Sequence, residues 1–188
     1  MTRWLVLHAR SRQAPASLAT AVAGVGLIGL LAQPGGNPRL AVLAAAIGVA
    51  AVAVGFGGHD RDLDRTAAFG WPPRRAGHLL LGAAVVALLL LAVGRVADPV
   101  APDAVVLRAV VGLGGLAALG ACLFGSLAAW SLPVGWAGVT LVVPPGDEWQ
   151  ERLLAWPAQP AGTPSATVIA VVLGCAGLAA YGAFGCRR

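Results

Sequence analysis

Residues 79–97 read LLLGAAVVALLLLAVGRVA, and Arg95 is the only charged side chain among them. A helix that crosses a bilayer needs about 17–25 mostly apolar residues, because the hydrocarbon core is about 30 Å thick. This run is long enough, and its single charge lies close to one end. We therefore expect residues 79–97 to form a membrane-spanning helix.

The composition of the whole chain agrees with this expectation. Of its 188 residues, 58% are hydrophobic and 11% are charged, and the mean hydropathy is +0.79. Soluble domains carry about 25% charged residues, and a folded chain of this size could not hide so much apolar side chain from water. These values exclude an ordinary soluble enzyme, a disordered protein and a nucleic-acid binder. The expected solvent is the lipid bilayer.

Five further apolar runs resemble the first, and none of them carries an acidic residue. The six predicted spans cover residues 17–32, 40–58, 79–97, 104–124, 127–143 and 166–184. Gly125 and Ser126 then form a tight turn between spans four and five. A five-span alternative treats the segment around Pro133 as broken and partly re-entrant. The predicted fold class is all-α integral membrane, with a single transmembrane domain over residues 1–188.

The arginines predict the orientation of these spans. All 13 basic residues are arginines, and basic residues accumulate in the cytoplasmic loops of membrane proteins. With six spans, nine arginines lie on the side of the termini and four on the other side. The nine are Arg3, Arg10, Arg12, Arg61, Arg65, Arg74, Arg75, Arg187 and Arg188, and the four are Arg39, Arg95, Arg108 and Arg152. Five spans divide the arginines eight to five, so six spans with both termini in the cytoplasm are preferred.

Two of the four arginines on the other side lie inside predicted spans. Arg95 and Arg108 are each close to a span end, so we expect their long side chains to reach the lipid headgroups.

The dominance of Ala, Gly, Val, Leu and Arg is typical of GC-rich bacterial genes. We therefore expect the chain in a bacterial cytoplasmic membrane.

The longest predicted cytoplasmic loop, residues 59–78, reads HDRDLDRTAAFGWPPRRAGH. Asp60 or Asp62 can cap a short helix, and Gly70 with the prolines that follow ends it. The apolar tip of this helix consists of Leu63, Ala67 and Phe69. Two helical turns are not stable alone. The helix is therefore either a docking element for a groove in another protein or a salt-bridged connector without a partner.

The predicted extracytoplasmic loop, residues 144–165, holds a second short helix. Asp147 with Gln150 fits a capping box, and Pro157 ends the helix. An apolar stripe at i, i+4 and i+7 consists of Trp149, Leu153 and Trp156. This helix either anchors in the membrane interface or folds back into the outer mouth of the bundle as a gate.

Residues 1–15 are basic and amphipathic, which predicts an interfacial helix or a basic tail.

The sequence holds only weak motifs for catalysis or for binding a cofactor or a metal. Residues 24–29 match the GxGxxG pattern of dinucleotide-binding proteins, but they lie within a span and no acidic residue occurs before Asp60. Small residues that allow close helix packing explain this run and the glycines at 112, 115 and 120 better. Cys122, Cys175 and Cys186 lack metal-ligand spacing. With no lysine and no nucleophile–base set, we expect no catalytic, cofactor or metal site.

The layout resembles the membrane subunit of an ATP-binding-cassette exporter, of the ABC-2 permease class and close to actinobacterial examples. Such permeases have an N-terminal elbow helix, a coupling helix between spans two and three, and short helices between spans five and six. The counterparts here are residues 4–12, 62–69 and 147–156. The resemblance implies two partners, a separate ATPase and a second permease subunit, identical or similar. The residues that it assigns to ATPase docking are Asp62, Leu63, Arg65, Thr66, Ala67, Phe69, Arg74 and Arg75.

The residues leave other functions open. The expected permease exports an unknown, hydrophobic substrate with energy from the ATPase. A second interpretation is a non-transporting scaffold or an accessory subunit of a larger membrane complex, since the chain is short for a permease. An integral-membrane enzyme is disfavoured, because the spans offer only Thr140, Thr167 and scattered serines as polar groups.

Overall fold

The computed structural model describes residues 14–30, 36–56, 71–96 and 99–186. Seven α-helices follow one another in these ranges: α1 (Ala14–Leu30), α2 (Pro38–Ala53), α3 (Trp71–Val96), α4 (Asp103–Phe124), α5 (Ser131–Val142), α6 (Trp149–Leu154) and α7 (Pro164–Phe184). Three short 3-10 turns accompany them: Val54–Phe56, Ser126–Ala128 and Trp156–Ala158. No strand occurs in the described ranges, so the all-helical fold class is confirmed for them.

Four stretches are long and apolar enough to cross a membrane. They are Pro38–Phe56, Arg75–Val96, Asp103–Phe124 and Pro164–Phe184. The fifth predicted span is shorter than expected, because α5 has 12 residues and a rise of 1.5 Å per residue makes it about 18 Å long. With the preceding turn it forms the shorter apolar stretch Ser126–Val142. The helices therefore support a membrane protein with four full-length candidate spans.

Local sequence signals set the helix ends that position the bundle. The Asn37 side chain accepts a hydrogen bond from the Arg39 N–H at 3.0 Å, and Pro38 occupies the first position of α2. Gly125 ends α4 with a φ of +87°, a conformation that favours glycine. The turn predicted at Gly125 is therefore present.

Hydrogen bonds between distant residues define two ends of the bundle. At the first, called the Asn37 end, the Asn37 N–H donates to the Val100 carbonyl at 2.7 Å and ties the start of α2 to the loop before α4. At the second, called the Phe56 end, the Phe56 carbonyl accepts from the Tyr181 hydroxyl at 3.1 Å and from the Cys186 thiol at 3.2 Å. The end of α2 and the end of α7 are therefore joined.

Helix α4 forms the centre of the bundle, and α3 lies at its edge. In the most apolar part of each helix, 78% of α4 is buried but only 17% of α3. Helices α4 and α7 touch through their backbones. A Cβ on Gly115 would lie 2.2 Å from the Leu173 carbonyl oxygen, and one on Gly177 would lie 2.3 Å from the Gly115 oxygen. Since only glycine permits this approach, close packing explains both residues, as the sequence predicts for Gly115.

The first part of the GxGxxG sequence also serves helix packing. A Cβ on Gly24 would lie 2.5 Å from the Ile47 Cγ2 atom on α2. The site lies within α1 and not at the junction of a strand and a helix. This geometry supports the packing interpretation of that run over a dinucleotide site.

We predict that Gly115→Ala destabilises the bundle by about 1–3 kcal/mol, the usual cost of overpacking. The added methyl group would push α7 away from α4. Gly114→Ala is the matched control, since a Cβ at Gly114 meets nothing within 4 Å. Reversible unfolding in mixed detergent micelles measures both variants, and equal stability of the two would contradict the packing role of Gly115.

Candidate functional site

Most residues of the predicted docking loop lie outside the described ranges. These are Asp62, Leu63, Arg65, Thr66, Ala67 and Phe69. Arg74 and Arg75 are the fourth and fifth residues of α3, and the Arg75 side chain is half-buried. A Cβ on Gly185 would lie 2.7 Å from its Nη1 atom. The start of α3 and the residue that ends α7 therefore meet at the Phe56 end.

The loop predicted to lie outside the membrane forms a compact unit at the Asn37 end. We call residues 146–160 the cap; it contains α6 and the turn Trp156–Ala158. The Glu148 N–H donates to the Glu151 side chain at 3.3 Å in a capping box. The predicted pairing of Asp147 with Gln150 was therefore one residue out of register. Asp147 instead accepts from Arg152 at 3.2 Å.

The predicted apolar stripe of the cap is divided between two environments. Trp149 is 70% exposed and Leu153 is 45% exposed, whereas Trp156 is fully buried. The prediction of one continuous stripe was wrong because α6 ends at Leu154 and the chain leaves the helix at Ala155. The spacing i, i+7 places residues on one face only within an unbroken helix. The cap therefore exposes two apolar side chains and inserts a third into the bundle.

Trp156 fills a notch on the central helix. A Cβ on Gly112 would lie 2.1 Å from the Cη2 atom of this indole, so the ring rests directly on the α4 backbone. Its N–H has no hydrogen-bond partner among the described residues, and packing alone holds the ring there. The turn that carries Trp156 contacts α2, α4 and α7. It closes the bundle at the Asn37 end.

Arg108 holds the same turn from the side of α4. Its guanidinium donates to the carbonyls of Pro160 at 3.1 Å and Pro157 at 3.3 Å, and also to that of Gln159. Arg108 is 5% exposed, and no carboxylate pairs with it in the described part of the chain. Backbone carbonyls therefore take the place of a counter-ion.

The expectation that Arg108 reaches the lipid headgroups was wrong. The cap covers its position near the beginning of α4 and offers carbonyl groups that the residue binds instead. The side chain of Arg95, by contrast, is 71% exposed and forms an ion pair with Asp103 at 2.6 Å. The signal that marks Arg108 in the sequence is its position four residues before Gly112, which places both on one face of a helix.

Gln159 completes the cap from within. Its side-chain amide donates to the carbonyls of Gly146 at 3.1 Å and Glu151 at 3.3 Å. Gln159 is 3% exposed. The residue thereby links the beginning, the helix and the end of the cap, so that the cap is an internally bonded unit.

An open cleft of about 730 Å³ runs beside the cap, between its polar edge, Pro38 at the start of α2 and Pro164 at the start of α7. No group of three or more His, Cys, Asp or Glu residues suited to a metal occurs in the described ranges. The arrangement at the Asn37 end binds backbone carbonyls and an indole ring. These contacts hold the cap against the helices and close the bundle at this end.

We predict that Trp156→Ala lowers the stability of the folded protein by about 3–5 kcal/mol, the usual cost of removing a large buried aromatic ring. Trp149→Ala is the matched control, and we expect it to change stability by less than about 0.5 kcal/mol because its ring is exposed. Thermal or denaturant unfolding in detergent gives both values. A larger loss for Trp149→Ala would contradict the assignment of the buried ring.

The chain was compared with protein families, curated proteins and solved structures. No family model, curated protein or solved structure matches the chain. The function has to follow from the chain's own residues and their arrangement.

Proposed function

We propose that this chain is the permease subunit of an ATP-binding-cassette exporter in a bacterial cytoplasmic membrane. A separate ATPase subunit supplies the energy, and a second permease subunit completes the pathway. The observation that carries the proposal is the arrangement at the Phe56 end. The segment 57–70 connects Phe56, after α2, to the beginning of α3. The last turn of α7 contacts Phe56 at this end, through the Tyr181 hydroxyl.

The Phe56 end offers a mechanical path from that segment into the bundle. The Phe56 ring lies 4.9 Å from the Tyr181 ring on α7 and 6.0 Å from the His78 ring on α3, measured between ring centroids. Phe56 is also the last described residue before the segment 57–70. A protein that moves this segment would therefore displace α3 and α7 together. Because α7 contacts α4 through backbone atoms, the displacement would reach the central helix.

The orientation belongs to the same proposal. The Phe56 end faces the cytoplasm, because the nine arginines that flank it in sequence satisfy the positive-inside rule. The six-span arrangement also belongs here, with α1 and the stretch Ser126–Val142 as the shorter crossings. The cap then lies on the extracytoplasmic side, where Trp149 and Leu153 are exposed to the interface.

A substrate pathway would lie between two permease subunits. The interior of this chain is filled mainly by alanine, glycine and valine, and the cavity between α2, α3 and α4 measures about 20 Å³, room for about one water molecule. Helices α3 and α7 expose apolar side chains on their outer faces. These are Leu80, Leu81, Leu88 and Val96 on α3, and Val168, Val171, Val172 and Phe184 on α7. Such apolar faces are suited to contact with lipid or with a second subunit. A pathway between two such faces would favour a hydrophobic substrate.

The dense interior also favours the alternative function, a scaffold or accessory subunit that transports nothing. Such a protein needs stable apolar faces but no moving element. The two functions differ in one requirement: only the permease depends on an ATPase bound at the Phe56 end. Identification of the chains that copurify with this protein from its native membrane separates them.

We predict that Leu63→Asp and Phe69→Asp abolish copurification of the ATPase and ATP-dependent export, because a charge would be forced into an apolar groove. The bundle itself should keep its thermal stability. Leu127→Asp is the matched control, since Leu127 is 90% exposed and follows α4 at the same end. Copurification and export should persist in this control.

Survival of export in both loop variants would overturn the docking proposal. Loss of export with the ATPase still bound would keep the permease assignment but move the docking site elsewhere. Absence of any ATPase from the native complex would favour the scaffold.

A further inference from the structure

The cap forms hydrogen bonds within itself, and its turn Trp156–Ala158 packs against the helices that it covers. Its internal hydrogen bonds link Gln159 to Gly146 and Glu151, and Arg152 to Asp147. Within the described ranges, every side-chain hydrogen bond between the cap and the transmembrane helices comes from Arg108. Apart from the packing of the turn Trp156–Ala158, a single donor holds the cap to the helices, so the cap can move without rearranging inside.

The connections on both sides of the cap allow such a movement. Before the cap, the chain leaves α5 at Val143 in an extended conformation and continues through Pro144 and Pro145. After the cap, Gly162 lies in a turn, and a Cβ there would meet nothing within 4 Å. Both connections are short and exposed, and Gly162 supplies the backbone freedom that a hinge needs.

We propose that the cap is a hinged lid that closes the Asn37 end of the bundle, and that Arg108 and Gly112 form its latch. The guanidinium of Arg108 holds the carbonyl side of the lid, and the Gly112 notch holds the Trp156 ring. When the lid opens, the buried turn Trp156–Ala158 becomes accessible and Arg108 loses its three carbonyl partners. The lid is a property of this chain alone and requires neither an ATPase nor a substrate.

The balance of forces at the latch explains why the lid can open. A buried cation without a counter-ion pays a large desolvation cost, so the hydrogen bonds from Arg108 are partly offset by that cost. The lid is therefore held more weakly than the number of its bonds suggests. An open lid would expose Arg108 to water, in which its charge is well solvated. Both states are consequently compatible with the same residues.

Cysteine accessibility tests the lid directly. The parent protein carries Cys122→Ala, Cys175→Ala, Cys186→Ser and Ala158→Cys, since Ala158 is buried in the lid with 1% exposure. It is held in lipid nanodiscs, where a charged maleimide reaches both membrane faces. We expect slow labelling in this parent, and labelling at least tenfold faster after Arg108→Gln or Gly112→Ala.

Matched controls separate opening from unfolding. Arg95→Gln removes an exposed arginine outside the cap, and Gly114→Ala adds a methyl group where there is space; both should label within twofold of the parent. Ala118→Cys, placed on the buried face of α4, should stay protected in the Arg108→Gln and Gly112→Ala backgrounds. Gly112→Ala keeps the guanidinium, so it decides the question if Arg108→Gln does not fold.

Three results would overturn the proposal. The first is a parent in which Ala158→Cys labels as fast as Leu153→Cys on the exposed face of α6, because the lid would then not be closed. The second is a Gly112→Ala variant, and a folded Arg108→Gln variant, that label at the rate of the parent. Faster labelling of Ala158→Cys and Ala118→Cys together also contradicts the lid, since it indicates opening of the whole bundle.

Discussion

The backbone contact between α4 and α7 is the constraint on which the remaining packing depends. In lipid the hydrophobic effect does not drive helices together, so their association relies on van der Waals contact and on hydrogen bonds. The glycines at 115 and 177 bring the two backbones within contact distance, and among the described helices α4 and α7 form the most extensive pair. With α7 held in this position, its last turn reaches the Phe56 carbonyl, and its first turn borders the cap.

One face of α4 organises both α7 and the cap. Arg108, Gly112 and Gly115 follow each other at spacings of four and three residues, which places them in a row along a helix. The first donates to the carbonyls of the cap, the second receives Trp156, and the third receives the backbone of α7. A charge and two glycines look unrelated in the sequence. On the helix they form one continuous surface for two different partners.

The sequence allowed the helical class, the positions of the four long helices and the turn at Gly125 to be predicted, because length, hydropathy and glycine conformation are local properties. The role of glycine in close packing was also accessible, although not the identity of the partner helix. The environment of Trp156 could not be predicted, because it depends on the single residue at which α6 ends. Arg108 was misplaced for a related reason: its position near a span end permits contact with lipid headgroups, and only the fold of the cap shows that carbonyl groups are closer. The count of six crossings stays a prediction: four helices are long and apolar enough to span a membrane, and hydropathy does not reveal that α5 stops after 12 residues.

The position of α7 in the chain has a consequence for biogenesis. This helix is synthesised after every helix that it joins, yet it supplies the partner of the central helix and the hydroxyl that binds the Phe56 carbonyl. A nascent chain that has released only α1 to α5 carries the glycine face of α4 without its partner. Assembly of the core therefore waits until α7 has been synthesised and inserted, since the packing of α4 is incomplete without it.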